Sequence, residues 1–299
     1  MIVGLALELS VGPVVWEAFA WPVNGIVMAG FLAVVGVLFL LRKKVPAFQF
    51  VGTYHAAIPA MVYAVVLTIV MGLTRQTASP TGGGSHWFNH MLTFWPFVLI
   101  YVYVATILGV ITLRRLTHLT SWKRDVPFLL NHFGLFLALT TATLGNADMQ
   151  RVKMVTVVGE PEWRAVTQNG GLKEMPMTIE LKKFIMETYD DGSPKRYASE
   201  ILIQTKSDKP WTAGHLHAEG SKTVEAVVDV NKPYEVDGWK IYQYGYDVQM
   251  GAMSQTSVLE LVSDPWLPLV YAGIYMMLAG AVCMFVFGGR KQGKVKLER

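Results

Sequence analysis

The sequence predicts an α-helical membrane protein with five transmembrane helices and a β-rich extracytoplasmic domain, an antiparallel sheet or sandwich. Three observations predict it. Hydrophobic residues make up 52% of the 299 and charged residues only 16%, against about 25% charged in an ordinary soluble domain. Five apolar runs approach the ~20 residues that a spanning helix needs. Between the fourth and fifth lies a polar stretch patterned with period two.

Residues 1–24 are apolar but broken by Glu8, Pro13, Glu17 and Pro22, and they lack the basic opening of a secretory signal peptide. An interfacial, partly helical lead-in is expected there. The spans follow at Gly25–Leu41, His55–Leu73, Met91–Leu113, Val126–Gly145 and Leu267–Phe287. This gives a four-helix membrane region over 25–145, an outer domain over 146–264, a final span over 265–288 and a basic tail over 289–299. Arg42, Lys43 and Lys44, then Arg114, Arg115, Lys123 and Arg124, then Arg290, Lys291, Lys294 and Lys296 flank the runs. All three clusters fall on one side if every run spans, and basic loops stay in the cytoplasm. The expected location is therefore the inner (cytoplasmic) membrane, with 146–264 on the periplasmic side. The net charge of +4 reports topology and contact with membrane lipid rather than nucleic-acid binding.

In the outer domain, strands are expected at Met177–Ile185, Glu200–Thr205 and Val224–Val230, with turns at Asp190-Asp-Gly-Ser-Pro and Asp237-Gly. Lys232 to Tyr246 reads as a hairpin whose aromatic side chains form a cross-strand ladder. The single cysteine, Cys283, excludes an internal disulfide, a Cys-rich metal site and a CxxCH haem attachment within this chain. No nucleophile elbow, HExxH or phosphate-cradling loop is present.

Histidine is the residue that points to chemistry. His132 lies inside an apolar run, where a strongly polar group costs roughly 2.5–3.5 kcal/mol on insertion scales and so marks a functional site by default. His55 stands near the start of its own run, at similar expected depth. Two imidazoles suit the two axial positions of haem iron, and Gly134, Ala138 and Ala142 would let a macrocycle or a second helix approach. The alternative is a buried histidine bonded to a neighbouring helix. His86 and His90 share a helical face if the third helix begins by Ser85; with Trp87, Phe88 and Trp95 they suit an outer porphyrin or quinol site, or equally an aromatic belt. His118 reads as solvated, and His215 and His217 as a surface strand pair.

From Asn231 onward the sequence resembles a known family. Val230-Asn-Lys-Pro-Tyr-Glu-Val-Asp-Gly-Trp-Lys-Ile-Tyr-Gln-Tyr-Gly-Tyr-Asp, then Asp264-Pro-Trp-Leu-Pro-Leu-Val-Tyr-Ala-Gly, is similar to the end of the outer domain and the last span of the ResB (CcsB) family. Tyr189-Asp-Asp-Gly-Ser-Pro-Lys-Arg-Tyr-Ala-Ser-Glu-Ile and the His132 span add to the likeness, which covers roughly residues 89–288. The resemblance implies system II cytochrome c maturation, in which such a subunit works with a CcsA-like membrane protein to move haem b outward and attach it to apocytochrome c. It implies that His132 is an axial haem ligand, with the other ligand on CcsA and the lyase chemistry shared with that partner. Three features depart from the family: an extra N-terminal span, a compact outer domain, and His55 as a rival ligand within the chain. Trp87-Phe does not reproduce CcsA's tryptophan-rich motif. The other readings are a bis-His haem b subunit for quinol-linked electron transfer, and a non-catalytic membrane scaffold.

Overall fold

The computed structural model describes residues 1–76, 87–205 and 222–288. The chain divides into a helical unit, Met1–Asp148 with the stretch from Trp266 onward, and a sheet unit, Met149–Pro265.

In the helical unit, five helices are long and apolar enough to cross a membrane: α2 (Val23–Leu41), α4 (Tyr54–Leu73), α5 (Trp95–Leu116), α6 (Trp122–Gly145) and α7 (Leu267–Gly288). Two shorter helices, α1 (Ile2–Val11) and α3 (Pro46–Val51), precede α2 and α4. Two starts differ from the expectation. Helix α5 opens at Trp95 rather than Met91, because Pro96 sits in its first turn, where its fixed φ and missing N–H suit a helix start. Helix α6 opens at Trp122 rather than Val126: Lys123, Arg124 and Asp125 belong to its first turns, and a hydropathy reading cuts them off. The Asp125 carboxylate reaches back to accept from the N–H groups of Thr120 (2.5 Å) and Ser121 (2.8 Å); Ser121 is the N-cap residue, whose N–H a helix start leaves without an intrahelical partner.

Helices α6 and α7 approach at backbone distance. A Cβ on Gly273 would lie 2.6 Å from the Gly134 carbonyl oxygen and 2.7 Å from the Ala138 nitrogen. Gly280 faces Asn131 and Gly145 faces Trp266 in the same way. Helix α5 is held from two directions. Tyr103, Val104, Ile107 and Ile111 pack with Ala56, Ala57 and Ala60 of α4, whereas Gly109 faces Val35 of α2 and Phe136 of α6. At about 100° per residue, Gly109 points nearly opposite to Ile107 and Ile111, so α4 and α6 engage different sides of α5. The lead-in is fastened to the start of α5. Glu8 accepts from the Trp95 backbone N–H (3.0 Å), Trp95 Nε1 donates to the Gly12 carbonyl (2.9 Å), and Gly4 lies against Pro96.

Asp148, three residues beyond α6, ties four segments together. It accepts from the Trp21 backbone N–H (2.7 Å), from Asn24 Nδ2 (2.7 Å) and from Trp266 Nε1 (2.7 Å), while Asn24 Nδ2 also donates to the Leu144 carbonyl at 3.2 Å. Desolvation pushes the Asp148 carboxyl up, but the donors from Asn24, Trp21 and Trp266 outweigh it and hold the group below the ordinary carboxylate range.

The sheet unit is one eight-stranded antiparallel sheet. Its strands are β1 (Gln150–Val157), β2 (Pro161–Thr167), β3 (Leu172–Thr188), β4 (Pro194–Thr205), β5 (Thr223–Asp229), β6 (Tyr234–Val236), β7 (Trp239–Tyr246) and β8 (Thr256–Ser263), in the order β5-β4-β3-β2-β1-β8-β7-β6. The sheet rolls around a single interior that receives side chains from every strand, including Met154, Met177, Ile179, Leu181, Ile201, Val228, Ile241 and Leu259. Strands far apart in the order therefore touch. Ser199 of β4 donates to Ser257 of β8 at 2.7 Å, and Gln243 Nε2 donates to the same hydroxyl at 2.9 Å.

The expected hairpin forms between β6 and β7. Asp237 and Gly238 both take positive φ, 47° and 79°, as a two-residue turn matched to strand twist requires. Its aromatics do not ladder within the hairpin. Tyr234 pairs with Ile241, and Val236 with Trp239. Tyr246 instead stacks on Phe184 of β3, with Tyr197 of β4 beside it. Rolling of the sheet, which local sequence does not report, supplies those partners.

Two outcomes follow. Gly273→Val should overpack the α6–α7 contact and lower stability by about 1–3 kcal/mol in detergent unfolding, whereas Gly30→Ala, whose Cβ meets nothing within 4 Å, should be near neutral. Because the Asp148 pKa is depressed on folding, its stabilisation is present above the unfolded value near ~3.9 and is lost as pH falls through the folded value. Asp148→Asn should accordingly show a shallower loss of stability on acidification than the wild type in pH-dependent unfolding.

Candidate functional site

Helix α6 divides its surface between two tasks. Asn131, Gly134, Ala138 and Gly145 face α7. Asp125, Phe128, His132 and Phe136, spaced three or four apart, form a stripe on another side. Phe136 closes this stripe against Gly109 and stacks with Phe31 of α2, centroids 6.0 Å apart.

His132 sits midway along the stripe and is half-buried. Its Nδ1 lies 2.9 Å from the carbonyl oxygen of Phe128, one turn back. A carbonyl can only accept, so Nδ1 carries a proton and Nε2 is the nitrogen not engaged by the helix carbonyl. The imidazole also stacks on the Phe128 ring, centroids 3.8 Å apart and planes 15° from parallel. Two restraints from one residue thus set the tautomer and the ring plane.

The stripe continues to a buried charge. Asp125 is 1% exposed and pairs with Arg115 from the end of α5. Arg124 Nε lies 4.0 Å from the same carboxylate and Arg124 Nη2 donates to Thr120 Oγ1 at 2.6 Å. The Arg115 guanidinium stands 5.4 Å from the centre of the Phe128 ring, so Arg115, Phe128 and His132 form one contiguous run. Sequence reasoning singled out His132 but missed Arg115, Asp125 and Phe128 as its surroundings. The available signal was Asp125, the lone acid among the basic residues that precede the fourth run.

The other histidines are placed differently. His55 is the second residue of α4, exposed, with its ring 4.1 Å from that of Tyr54. His132 is the eleventh residue of α6, about 15 Å along its axis at ~1.5 Å per residue. The equal depth expected for the two assumed a later start to α6, and their helices also engage different sides of α5. His90 does not lie on α5. It interrupts a short 3-10 segment, Trp87–Thr93, with φ −133° and ψ 47°, so the helical spacing assumed for His86 and His90 does not apply. Around it, Trp87 and Phe88 pack on Phe94, and Gln76 bridges the Phe88 carbonyl and the Met91 N–H. His86, His215 and His217 lie outside the described residues. The small residues near His132 serve the second helix: Gly134 and Ala138 are occupied by α7, and Ala142 is exposed.

Comparison with known proteins bears on this region. No curated protein matches the chain. Among solved structures, a cytochrome c haem lyase CcmF is similar over 87% of this chain and 44% of its own length, at 15% identity and a TM-score of 0.36. That likeness is too slight to carry fold or function, and this chain spans under half of that protein. The model of the ResB-like family matches residues 123–256. That stretch, from the first turn of α6 to the start of β8, is what the chain has in common with the ResB-like family.

Proposed function

We propose that the chain is the ResB-like subunit of a cytochrome c synthase complex, holding haem b in the membrane on His132 and passing it, with a CcsA-like partner, to apocytochrome c. The observation that carries this reading is that the ResB-like match opens in the helix whose midpoint bears His132. That imidazole is tied at Nδ1 to its own helix and fixed in plane by the Phe128 ring, which orients it as an axial ligand for haem iron.

One chain supplies one face of the iron. The second imidazole comes from the CcsA-like partner rather than from His55, because α4 and α6 engage different sides of α5. Haem enters here as cargo. The chemistry of attachment is addition of a cysteine S–H across each haem vinyl group, the proton going to carbon and the sulfur forming the thioether. Both thiols belong to apocytochrome c, since the chain's single cysteine, Cys283, lies in α7. The sheet domain receives the apocytochrome or braces the partner. The basic flanks of the spans support a periplasmic position for it, at the inner membrane.

The test is haem content and cytochrome c yield after co-expression with a CcsA-like partner. His132→Ala should lower bound haem by about tenfold or more, on the order of 1.4 kcal/mol or above, and abolish maturation, while His55→Ala leaves both unchanged. Equal loss in His55→Ala, with a bis-imidazole spectrum from the chain purified alone, would favour the electron-transfer reading. A colourless complex would leave only a scaffold.

A further inference from the structure

We infer that Arg115 and Arg124, gathered by Asp125, form a carboxylate-binding subsite that takes the two propionate groups of haem held by His132, an inference that rests on the haem reading above.

Topology explains why basic residues flank a span, but not why one of them leaves the surface. Arg115 is drawn inward, with 26% of its side chain exposed, to pair with a carboxylate that is 2% exposed. Its guanidinium reaches the ring on which His132 stacks. Asp125 uses one part of a group that has five N–H donors. The Arg115 Nε–H is buried without an acceptor among the described residues. Arg124 stands beside the same carboxylate with 68% of its side chain exposed. Two cations and one anion leave the cluster with a net positive charge, and guanidinium forks match carboxylates in shape.

The spacing suits a porphyrin. With the imidazole stacked flat on Phe128 one turn back, a macrocycle on Nε2 would lie alongside α6. Asp125 lies seven residues before His132 on the same face, about 10 Å along the axis at ~1.5 Å per residue. A macrocycle centred at His132 carries both carboxylates on one edge, and only an edge turned toward the start of α6 meets opposite charge. The vinyl groups occupy the other side of the ring. They are thereby turned toward the C-terminal end of α6, from which the chain runs into the sheet domain. Lys123 does not share this role, since its ammonium lies over the Trp122 ring, which packs on Phe287 of α7.

The experiment titrates the full chain in detergent, with its CcsA-like partner, with hemin and with hemin dimethyl ester, read by Soret absorbance. The ester keeps the iron and the macrocycle and removes both negative charges. Wild type should prefer the diacid about tenfold. Arg115→Gln and the exposed-site variant Arg124→Gln should each reduce that preference while leaving ester affinity unchanged, and Arg115→Lys should retain part of it. Comparing the ratio of affinities between variants cancels partition of the porphyrins into detergent. Equal affinity for diacid and ester in wild type would overturn the subsite while leaving haem binding intact. Arginine variants that weaken both ligands alike would also overturn it, by assigning the cluster to packing. Binding of neither porphyrin would overturn the haem reading and the subsite together.

Discussion

The close contact between α6 and α7 is the constraint on which the rest of the helical unit depends. Lipid is as apolar as leucine, so helices in a membrane associate through small residues, which permit dense van der Waals contact, rather than through the hydrophobic effect. Gly134 meeting Gly273, with Gly280 and Gly145 extending the same line, brings two backbones together over the length of both spans. One side of α6 is closed by this contact. The remaining surface is then free to carry residues that no lipid-facing helix tolerates, namely a carboxylate, a guanidinium partner and an imidazole. The same two helices deliver the chain into the sheet domain and receive it back, and Asp148 ties the end of one to the start of the other through Trp266.

Much of this architecture was legible in the sequence, for reasons that can be named. Run length and apolarity found five spans, because a spanning segment must satisfy its backbone internally and shed charge. Period-two alternation and the Asp237-Gly238 pair found strands and a hairpin, because both are local consequences of backbone geometry. Where the reading failed, the deciding interaction was not local. Charges in the first turns of α6 hid four helical residues, and they are tolerated there because Asp125 caps backbone donors and pairs with Arg115 from another helix. Tyr246 finds Phe184 and Tyr197 only after an eight-stranded sheet has rolled.

The histidines show the same division. Sequence could say that His132 lies deep in a span, since depth is a count of residues. It could not say which side of α5 each neighbour occupies, because protein-facing and lipid-facing positions are equally apolar and the pattern carries no period that separates them. The pairing of His55 with His132 rested on depth alone, and it loses support once α4 and α6 are found on different sides of α5. The small residues near His132 were open to two occupants for the same reason. A glycine announces close approach, but not whether a helix or a flat ring approaches.

The partner chosen for Nδ1 bears on what kind of site this is. Imidazole ligands of resident metals often donate to a carboxylate, which adds electron density to the ring and strengthens the bond to the metal. Here the carboxylate on the same stripe lies two turns away and pairs with Arg115, and the imidazole donates to a neutral backbone carbonyl. Asp125 does not add much stability by being buried, since desolvating two charges offsets most of their attraction; what the pair does is hold a guanidinium near the Phe128 ring. The imidazole is thus held in direction by a neutral partner on its own helix, and the buried acid is left to hold the guanidinium.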